Sequence, residues 1–404
     1  MKHKAHGLTD VGKTRKENED FFLLDNDLGM YIVCDGLGGH AAGDVASQIA
    51  CQAILEDLRN RQDVIARYAQ DPSPDNRREA MSLCESAVQL ACRAVYDSAR
   101  EDEARSGMST TCVLLVLAGP NALLAHVGDS RAYLIRNEKA WQMTEDHSYG
   151  LAQFRSGNIT PDEVSKDIYS ALMTRCLGHY PSVEVDILNI ELMPNDRFIL
   201  CSDGLSDYLT ARTLTKVSSK LPVEEMPVEL VQLANKKGGK DNITCIAVEV
   251  DDIPQPKNRL NAEEKIAALR QIPFFESLGF VELVKVLNIL HMRRTIKDET
   301  VIREGEAGQM FYVIMDGAAE VRRGKKKIAD LGPGDFFGEM GLIDNAPRSA
   351  DVITTEQTSL LVIRREDFNS LMFDQLQLSQ KVLWSFCQVL SSRLRETNKA
   401  LEDD

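Results

Sequence analysis

The residues best suited to chemistry in this chain are carboxylates placed where apolar strands begin or end. Met30 to Cys34 is an apolar run that stops at Asp35 and continues as Gly36-Leu37-Gly38-Gly39-His40. Glycine lets a backbone carbonyl approach a ligand closely, so Asp35 and Gly36 offer a carboxylate beside an open peptide oxygen. Ile199-Leu200-Cys201-Ser202-Asp203-Gly204-Leu205 repeats that order. Gly128-Asp129-Ser130-Arg131 lies between two strand-like runs, and Gly238-Gly239-Lys240-Asp241-Asn242 precedes the apolar Ile243 to Val250. Arg15-Lys16-Glu17-Asn18-Glu19-Asp20 precedes another apolar stretch. Each of these alone is an ordinary polar turn. Five against strand edges ask for more. Buried carboxylates repel one another unless cations neutralise them. An oxygen-rich ligand set with retained waters suits Mg2+ or Mn2+ better than zinc. Two such ions would acidify a bridging water and clamp a phosphoryl group, and Arg15 would add a planar, bidentate phosphate contact.

These turns meet only if strands and helices alternate. Phe21 to Asp25 and Met30 to Cys34 read as a strand pair, and the chain from Ala41 reads as helix. Ala41 to Ala69 and Arg77 to Glu103 carry helical periodicity, separated by the loop Asp71-Pro72-Ser73-Pro74. Strands are expected at Thr110 to Ala118, Ala122 to Val127, Arg131 to Arg136 and Lys139 to Met143. Glu145 to Leu177 reads as helical pieces around a polar loop; Arg197 to Cys201 and Ile243 to Val250 read as strands with helices between. The proline-bearing, polar Asp251 to Arg259 breaks this pattern. The expected organisation is a first domain over 1–251, a linker over 252–262 and a second domain over 263–404. The second opens with a helix, Asn261 to Arg270. Short glycine-punctuated strands follow from about Met292 to Ile363, then helix from Arg365 to Asp404.

A second constellation lies in that later part. Phe337-Gly338-Glu339-Met340-Gly341-Leu342 runs towards Arg348-Ser349-Ala350. A short helix over Gly338 to Leu342 would point free N–H groups at an anion, Arg348 would make a charge-assisted contact to it, and Glu339 would accept from a sugar hydroxyl. A tight turn with a surface Arg–Glu pair explains either residue alone. The basic run Arg322-Arg323-Gly324-Lys325-Lys326-Lys327 reads as a solvated hairpin turn.

The bulk numbers narrow the classes. The 404 residues suffice for two or three domains, and 43% hydrophobic with 27% charged is ordinary for a globular protein. A net charge of −15 argues against a large nucleic-acid surface. The nine cysteines form no C-x-x-C pair and mostly sit in apolar runs, as buried thiols of a reducing compartment do. The N-terminus lacks an apolar signal core, and no apolar run spans a bilayer. A cytoplasmic protein is expected.

From about residue 5 to 250 the chain resembles the metal-dependent, phosphatase-2C-like serine/threonine protein phosphatases, in a form similar to the bacterial branch. The motifs occur in family order: Arg15-x-x-Asn18-Glu19-Asp20, Asp35-Gly36-Leu37-Gly38-Gly39-His40, Gly107-Met108-Ser109-Thr110-Thr111, Gly128-Asp129-Ser130-Arg131, Ser202-Asp203-Gly204-Leu205 and Gly239-Lys240-Asp241-Asn242. The resemblance implies a four-layer α/β/β/α sandwich within an α+β chain. It implies that Asp35 bridges two Mn2+ or Mg2+ ions and that the Gly36 carbonyl ligates one. Asp203 and Asp241 would complete the first site, Glu19 and Asp20 the second, directly or through water. Asp129 with Asp203 would hold a third, weaker ion. Arg15 would bind the substrate phosphate, and Thr144 to Gly178, with Asp146-His147-Ser148, would contain a mobile flap. Many eukaryotic members carry a histidine, proposed as general acid, where this chain has Leu37.

From about 271 to 395 the chain resembles the cyclic-nucleotide-binding domain. Phe337 to Leu342 with Arg348-Ser349-Ala350 matches its phosphate-binding cassette; Ile302 to Glu306 and Phe311 to Gly317 match its β-roll strands. The resemblance implies nucleotide contacts from Gly338, Glu339, Met340, Gly341, Arg348, Ser349 and Ala350, with Glu339 on the ribose 2′-hydroxyl and Arg348 on the cyclic phosphate. Ser349 leans towards cyclic AMP over cyclic GMP. The base-capping group would come from Lys381 to Asn398, with Arg393 a candidate. Together the two resemblances imply a phosphatase acting on phosphoserine and phosphothreonine proteins, partnering a serine/threonine kinase and regulated by cyclic nucleotide. A homodimer through the C-terminal helices is compatible with them. The rivals are a nucleotide receptor with an inactive phosphatase domain, and an active phosphatase with a ligand-free interaction domain.

Overall fold

The computed structural model describes residues 1–37, 42–160, 172–253, 261–343 and 346–402, without side chains at 393, 394 and 396–402. The chain forms two compact units, Met1–Arg259 and Leu260–Asp404. His40 and the tip of the expected flap lie outside the described residues, as does the Arg393 side chain.

In the first unit two antiparallel sheets form the middle layers. One has the order β2 (Asp20–Asp25), β3 (Met30–Leu37), β5 (Cys112–Ala118), β6 (Asn121–Val127) and β9 (Asp186–Glu191), with the two-residue β4 (Ser109–Thr110) added to β3. The other runs β1 (Lys2–Asp10), β11 (Ile243–Asp252), β10 (Arg197–Cys201), β7 (Arg131–Arg136), β8 (Lys139–Gln142). Strand alternation decides which side chains meet which layer. Met30, Ile32 and Cys34 of β3 pack with Ala46, Ala50 and Ile54 of α1 (Gly43–Asn60) and with Cys84, Val88 and Ala91 of α3 (Pro74–Glu101). Tyr31 and Val33 point the other way and are equally buried. On the far side Ile199, Cys201, Cys245 and Ala247 pack against Leu214 and Val217 of the helix Ala211–Ser218 and Leu230 and Val231 of the helix Met226–Lys236. The layers are therefore α/β/β/α. Burial on both faces makes the central strands continuous apolar runs, which is why they were legible.

Several expectations shift. Pro74 belongs to α3: the Ser73 side chain caps that helix and Pro74 sits in its first turn, where a missing N–H costs nothing. The helix expected to run from Ala41 to Ala69 divides at Arg61, where α2 (Gln62–Gln70) begins. The strand expected from Thr110 breaks at Thr111. Among the described residues, Glu145 to Leu177 holds a single helix, α4 (Tyr149–Arg155). Two strands are additional, β1 and β9; β1 is a polar edge strand paired with β11 alone.

The second unit has two four-stranded antiparallel sheets. One is β12 (Leu290–Thr295), β19 (Thr358–Arg364), β14 (Met310–Asp316), β17 (Phe336–Phe337); the other is β13 (Thr300–Ile302), β18 (Asp351–Thr354), β15 (Ala319–Arg323), β16 (Lys326–Leu331). Ile302, Tyr312, Ile314, Phe337, Val352, Leu360 and Val362 fill the space between them. The basic run forms the β15–β16 hairpin. The flanking helices are Ala262–Gln271, Phe280–Leu287, Arg365–Asp374 and Leu376–Glu402. Phe274 ties them to the roll, stacking on Phe386 at 3.8 Å and meeting Phe336 edge-on at 5.2 Å.

Candidate functional site

The acidic turns converge at one end of the paired sheets. Asp20 and Asp35 are direct cross-strand partners on β2 and β3. Asp203 follows β10, Asp241 precedes β11, and Asp129 lies between β6 and β7. Burial pushes the Asp35 carboxyl well above the usual carboxylate range, and Asp20, Asp203, Asp129 and Asp241 push it further. Burial raises Asp20 to about 7, with the Ser202 hydroxyl and then the nearby Thr244 hydroxyl opposing. It raises Asp129 to about 7, with Asp203 adding, and it raises Asp203, with Asp241 adding. Glu19 is raised by burial against the pull of Arg15.

Polar side chains hold these carboxylates in place. Ser202 Oγ donates to Asp20 Oδ2 at 2.6 Å, while Asp20 Oδ1 is buried with no partner. The Asp35 N–H donates to Thr111 Oγ1 at 2.9 Å, and Thr110 Oγ1 donates to the Asp35 carbonyl at 2.8 Å. This gives the Ser109-Thr110-Thr111 motif a physical task. Asn242 Oδ1 accepts from the Glu19 N–H at 2.9 Å, and its Nδ2 donates to the carbonyls of Glu17 (2.9 Å) and Val11 (3.1 Å). One side chain thus ties the Glu19 loop to the Asp241 turn. Gly36 is obligatory in this packing: a Cβ there would sit 2.1 Å from the Gly43 carbonyl oxygen. Arg15 lies at the rim, its side chain 45% exposed, with Nη2 2.7 Å from Asp241 and Nη1 3.9 Å from Glu19.

A buried carboxylate oxygen without a donor, beside carboxyls raised by burial and then by their mutual repulsion, is a donor set that fits hard divalent cations. Asp20, Asp129, Asp203 and Asp241 all act electrostatically on Asp35, and Glu19 feels Arg15 and Asp241, so the sequence-derived acidic candidates share one neighbourhood with Gly36, although among the described residues no three of them bring their oxygens within 4.8 Å of one another as the atoms of His126, His147 and Asp186 do.

The base of the expected flap is anchored here. Asp146 takes a bidentate contact from Arg131, Nε to Oδ1 at 2.8 Å and Nη2 to Oδ2 at 2.6 Å. Two histidines, neither picked out by sequence reasoning as a positioning group, grip the peptide before Asp129. The Gly128 N–H donates to His147 Nδ1 at 3.1 Å, and His126 Nε2 lies 3.0 Å from the Gly128 carbonyl. His126, His147 and Asp186 bring ligand atoms within 4.8 Å of one another. The Gly128 bond, however, leaves His147 Nε2 carrying its proton towards Asp186 Oδ2 at 3.3 Å, and Arg175 Nη1 already contacts Asp186 at 2.9 Å. The trio reads as a hydrogen-bonded brace. The pairing of His126 with Asp186 across β6 and β9 was the available signal, hidden because β9 was not recognised.

In the second unit, Gly338 adopts φ +79°, and a Cβ there would lie 2.9 Å from Arg348 Nη1. Arg348 Nη1 donates to the Gly338 carbonyl at 3.0 Å and Nη2 to the Met310 carbonyl at 2.6 Å. Burial lowers its pKa, with Tyr312 and Glu339 opposing. Among the described residues no carboxylate forms an ion pair with it. Glu339 is buried, Gly341 packs on Arg348, and the short helix is Met340–Ile343, two residues later than expected at its start. Met340 and Ser349 are exposed and Ala350 is half-buried, and Arg323 Nε donates to the Ser349 carbonyl at 3.2 Å.

The protein phosphatase 2C family model matches residues 13–246, and the cyclic nucleotide-binding domain model matches 293–375. The chain is 31% identical over 251 residues to the serine/threonine phosphatase stp of Listeria monocytogenes, covering 61% of this chain and 96% of that protein. The crystal structure of the Mycobacterium tuberculosis serine/threonine phosphatase PstP/Ppp superposes with a TM-score of 0.54 at 30% identity, over 62% of this chain and 99% of that one. The catalytic domain of PstP in complex with two manganese ions gives 0.52 at 30% identity, over 62% and 99%. The chain belongs to the protein phosphatase 2C family. It is a bacterial-type protein-serine/threonine phosphatase that carries a C-terminal cyclic-nucleotide-binding domain. Among the described residues no helix is long and apolar enough to cross a membrane.

Proposed function

We propose that Glu19, Asp20, Asp35, Asp129, Asp203 and Asp241, with the Gly36 carbonyl, hold two or three Mn2+ or Mg2+ ions, and that cyclic nucleotide bound in the second unit regulates hydrolysis at this centre. The observation that carries the reading is that Asp20, buried with an oxygen left undonated, faces the half-buried Asp35 as its cross-strand partner. When bound, the cations supply Lewis acidity that ionises water near neutral pH and charge that balances the phosphoryl oxygens. Asp20 and Asp35 fix the spacing of the donor set, with Ser202, Thr110 and Thr111 holding them rigid. Arg15, half exposed, exchanges its contact with Asp241 for the phosphate of a phosphoserine or phosphothreonine protein, and its planar fork orients the ester. Leu37 has no proton to give, so the leaving oxygen is not protonated from that position. A manganese complex of a related catalytic domain supports the ion class.

Arg348, half-desolvated and bonded only to carbonyls among the described residues, supplies the charge for a cyclic phosphate. Glu339 takes the ribose hydroxyl, while Gly338, Met340, Gly341, Ser349 and Ala350 shape the pocket. Ser349 favours cyclic AMP. Phe336 directly precedes this cassette and touches Phe274, which stacks on Phe386 of the last helix. Filling the pocket thereby moves the C-terminal helices. Calorimetric titration of the full chain with cyclic AMP and cyclic GMP tests the ligand. Tighter binding of cyclic AMP, lost in Arg348→Ala, is expected. No heat with either nucleotide makes this domain an interaction module. Binding without turnover of any phosphoprotein makes the chain a receptor.

A further inference from the structure

Two loops at the rim of the acidic cluster, residues 10–18 and 235–242, are stitched together. The Lys13 N–H donates to the Gly239 carbonyl at 2.7 Å, Asn235 Nδ2 to Asp10 Oδ1 at 3.1 Å and Asn242 Nδ2 to the Val11 carbonyl at 3.1 Å. The approach is close. Gly12 has φ +80°, and a Cβ there would lie 2.2 Å from the Asp241 carbonyl oxygen; one on Gly239 would lie 3.2 Å from Lys13 Cγ. The joined loops carry Lys13, Arg15, Lys16, Lys236, Lys237 and Lys240, all exposed. Their carboxylates are Asp10, Glu17 and Asp241. Asp241 is taken by Arg15, and Asp10 by Asn235 and the Gly12 N–H, which leaves Glu17. Among the described residues the five lysines form no ion pair, and Lys237 Nζ donates to the Tyr208 carbonyl at 3.1 Å. In a chain of net charge −15, this is a local reversal of sign beside the site.

We infer that this rim is the docking surface for acidic residues that flank the phosphorylated residue of a protein substrate. The inference rests on Arg15 receiving the substrate phosphate, and it adds a preference for what lies beside that phosphate. Lys13 and Lys16 stand within two positions of Arg15, and the Gly239 contact brings the second loop against the first. An extended peptide advances about 3.5 Å per residue. With its phosphate held at Arg15, Asp or Glu within about four positions therefore passes over these loops. Lysine acts as a point charge on a flexible stem, so the surface reads the sign of the flanking charge rather than one fixed sequence. Backbone bonds fix where those stems start, and a surface of one sign also draws acidic segments in from solution.

The test compares kcat/KM of the full chain with manganese on two phosphothreonine peptides, one with Asp on both sides of the phosphothreonine and one with Asn in those places. Para-nitrophenyl phosphate, which has no flanks, is the third substrate. The Asp peptide is expected to be favoured about 10-fold through KM, since each exposed ion pair is worth a few-fold. That advantage is expected to shrink as salt rises from about 0.05 M to 0.5 M. In the triple variant Lys13→Gln, Lys16→Gln, Lys240→Gln it should fall to about 2-fold or less, with para-nitrophenyl phosphate hydrolysed as before. Equal kcat/KM for the two peptides overturns the inference and leaves the phosphatase reading standing. Hydrolysis of para-nitrophenyl phosphate with neither peptide turned over overturns that reading and the inference with it. A folded triple variant that loses all three rates alike shows lysines that only offset the buried carboxylates, and overturns the inference too. Should the variant not fold, the two peptides on the wild type decide alone.

Discussion

Asp20, buried with one carboxylate oxygen lacking a donor, faces the half-buried Asp35 across the β2–β3 ladder. Two like charges in this position oppose folding unless cations or protons neutralise them. In the metal centre proposed above, stability and catalysis are set against each other at this pair.

Asp35→Asn removes one of these charges at nearly constant volume. In chelator, Tm is expected to rise by roughly 5 °C, since about 2 kcal/mol of repulsion is relieved. Phosphatase kcat is expected to fall by about 10³-fold or more. Asp203→Asn should behave alike. Calorimetry in EDTA beside a manganese-supported rate assay checks both arms; full activity in either variant contradicts the assignment.

The pH dependence of the chelated protein follows from the raised carboxyls. A group whose folded pKa lies above its unfolded value contributes stability below the unfolded pKa and loses it as pH rises through the folded one. With Asp20 and Asp129 raised from 3.8 to about 7, Tm in chelator is expected to fall between about pH 4 and pH 7 and to level off above. Manganese is expected to flatten that slope. Differential scanning fluorimetry across this range, with and without manganese, reads both.

His126 works in the opposite direction. Burial, with His147 adding, lowers it to about 4, against the pull of Asp186, the Gly128 carbonyl and Asp146. A depressed folded pKa gives stability that is complete above the unfolded value and is lost as pH falls. Between pH 6.5 and 4 this one ring accounts for about 3 kcal/mol. Comparing denaturant midpoints of the wild type and His126→Asn at pH 7 and pH 4.5 isolates it. The gap between the two proteins is expected to narrow or reverse at the lower pH.

Asn242→Ala breaks the tie between the Glu19 loop and the Asp241 turn without removing a carboxylate. The manganese concentration for half-maximal rate is expected to rise about 10-fold or more, as for other groups that orient metal ligands. A manganese titration of the rate at saturating substrate measures it.

Much of this was legible in the sequence because the central strands are buried on both faces and end abruptly in Asp-Gly. That pattern marked Asp35 and Asp203 directly, and the same logic reached Asp129 and Asp241. β1 was not legible, because an edge strand shows half its residues to water and Lys2, His3, Lys4 and His6 look like any polar tail. β9 was missed as well, since Asp186 and Asn189 interrupt its apolar run. With β9 unseen, the brace of His126, His147 and Asp186 could not be assembled, because it depends on a pairing 60 positions apart along the chain. Asn242 and Thr111 were visible as motif letters, but their bonds to distant backbone groups are a tertiary property.

The central claim is that a nucleotide bound at Arg348 governs hydrolysis at Asp35. The most direct test is the initial rate of phosphate release from a phosphothreonine protein at saturating manganese, followed while cyclic AMP is titrated. A saturable change of several-fold in the full chain, absent in Arg348→Ala, is expected. A rate that stays flat in the wild type, or that changes equally in Arg348→Ala, contradicts the account.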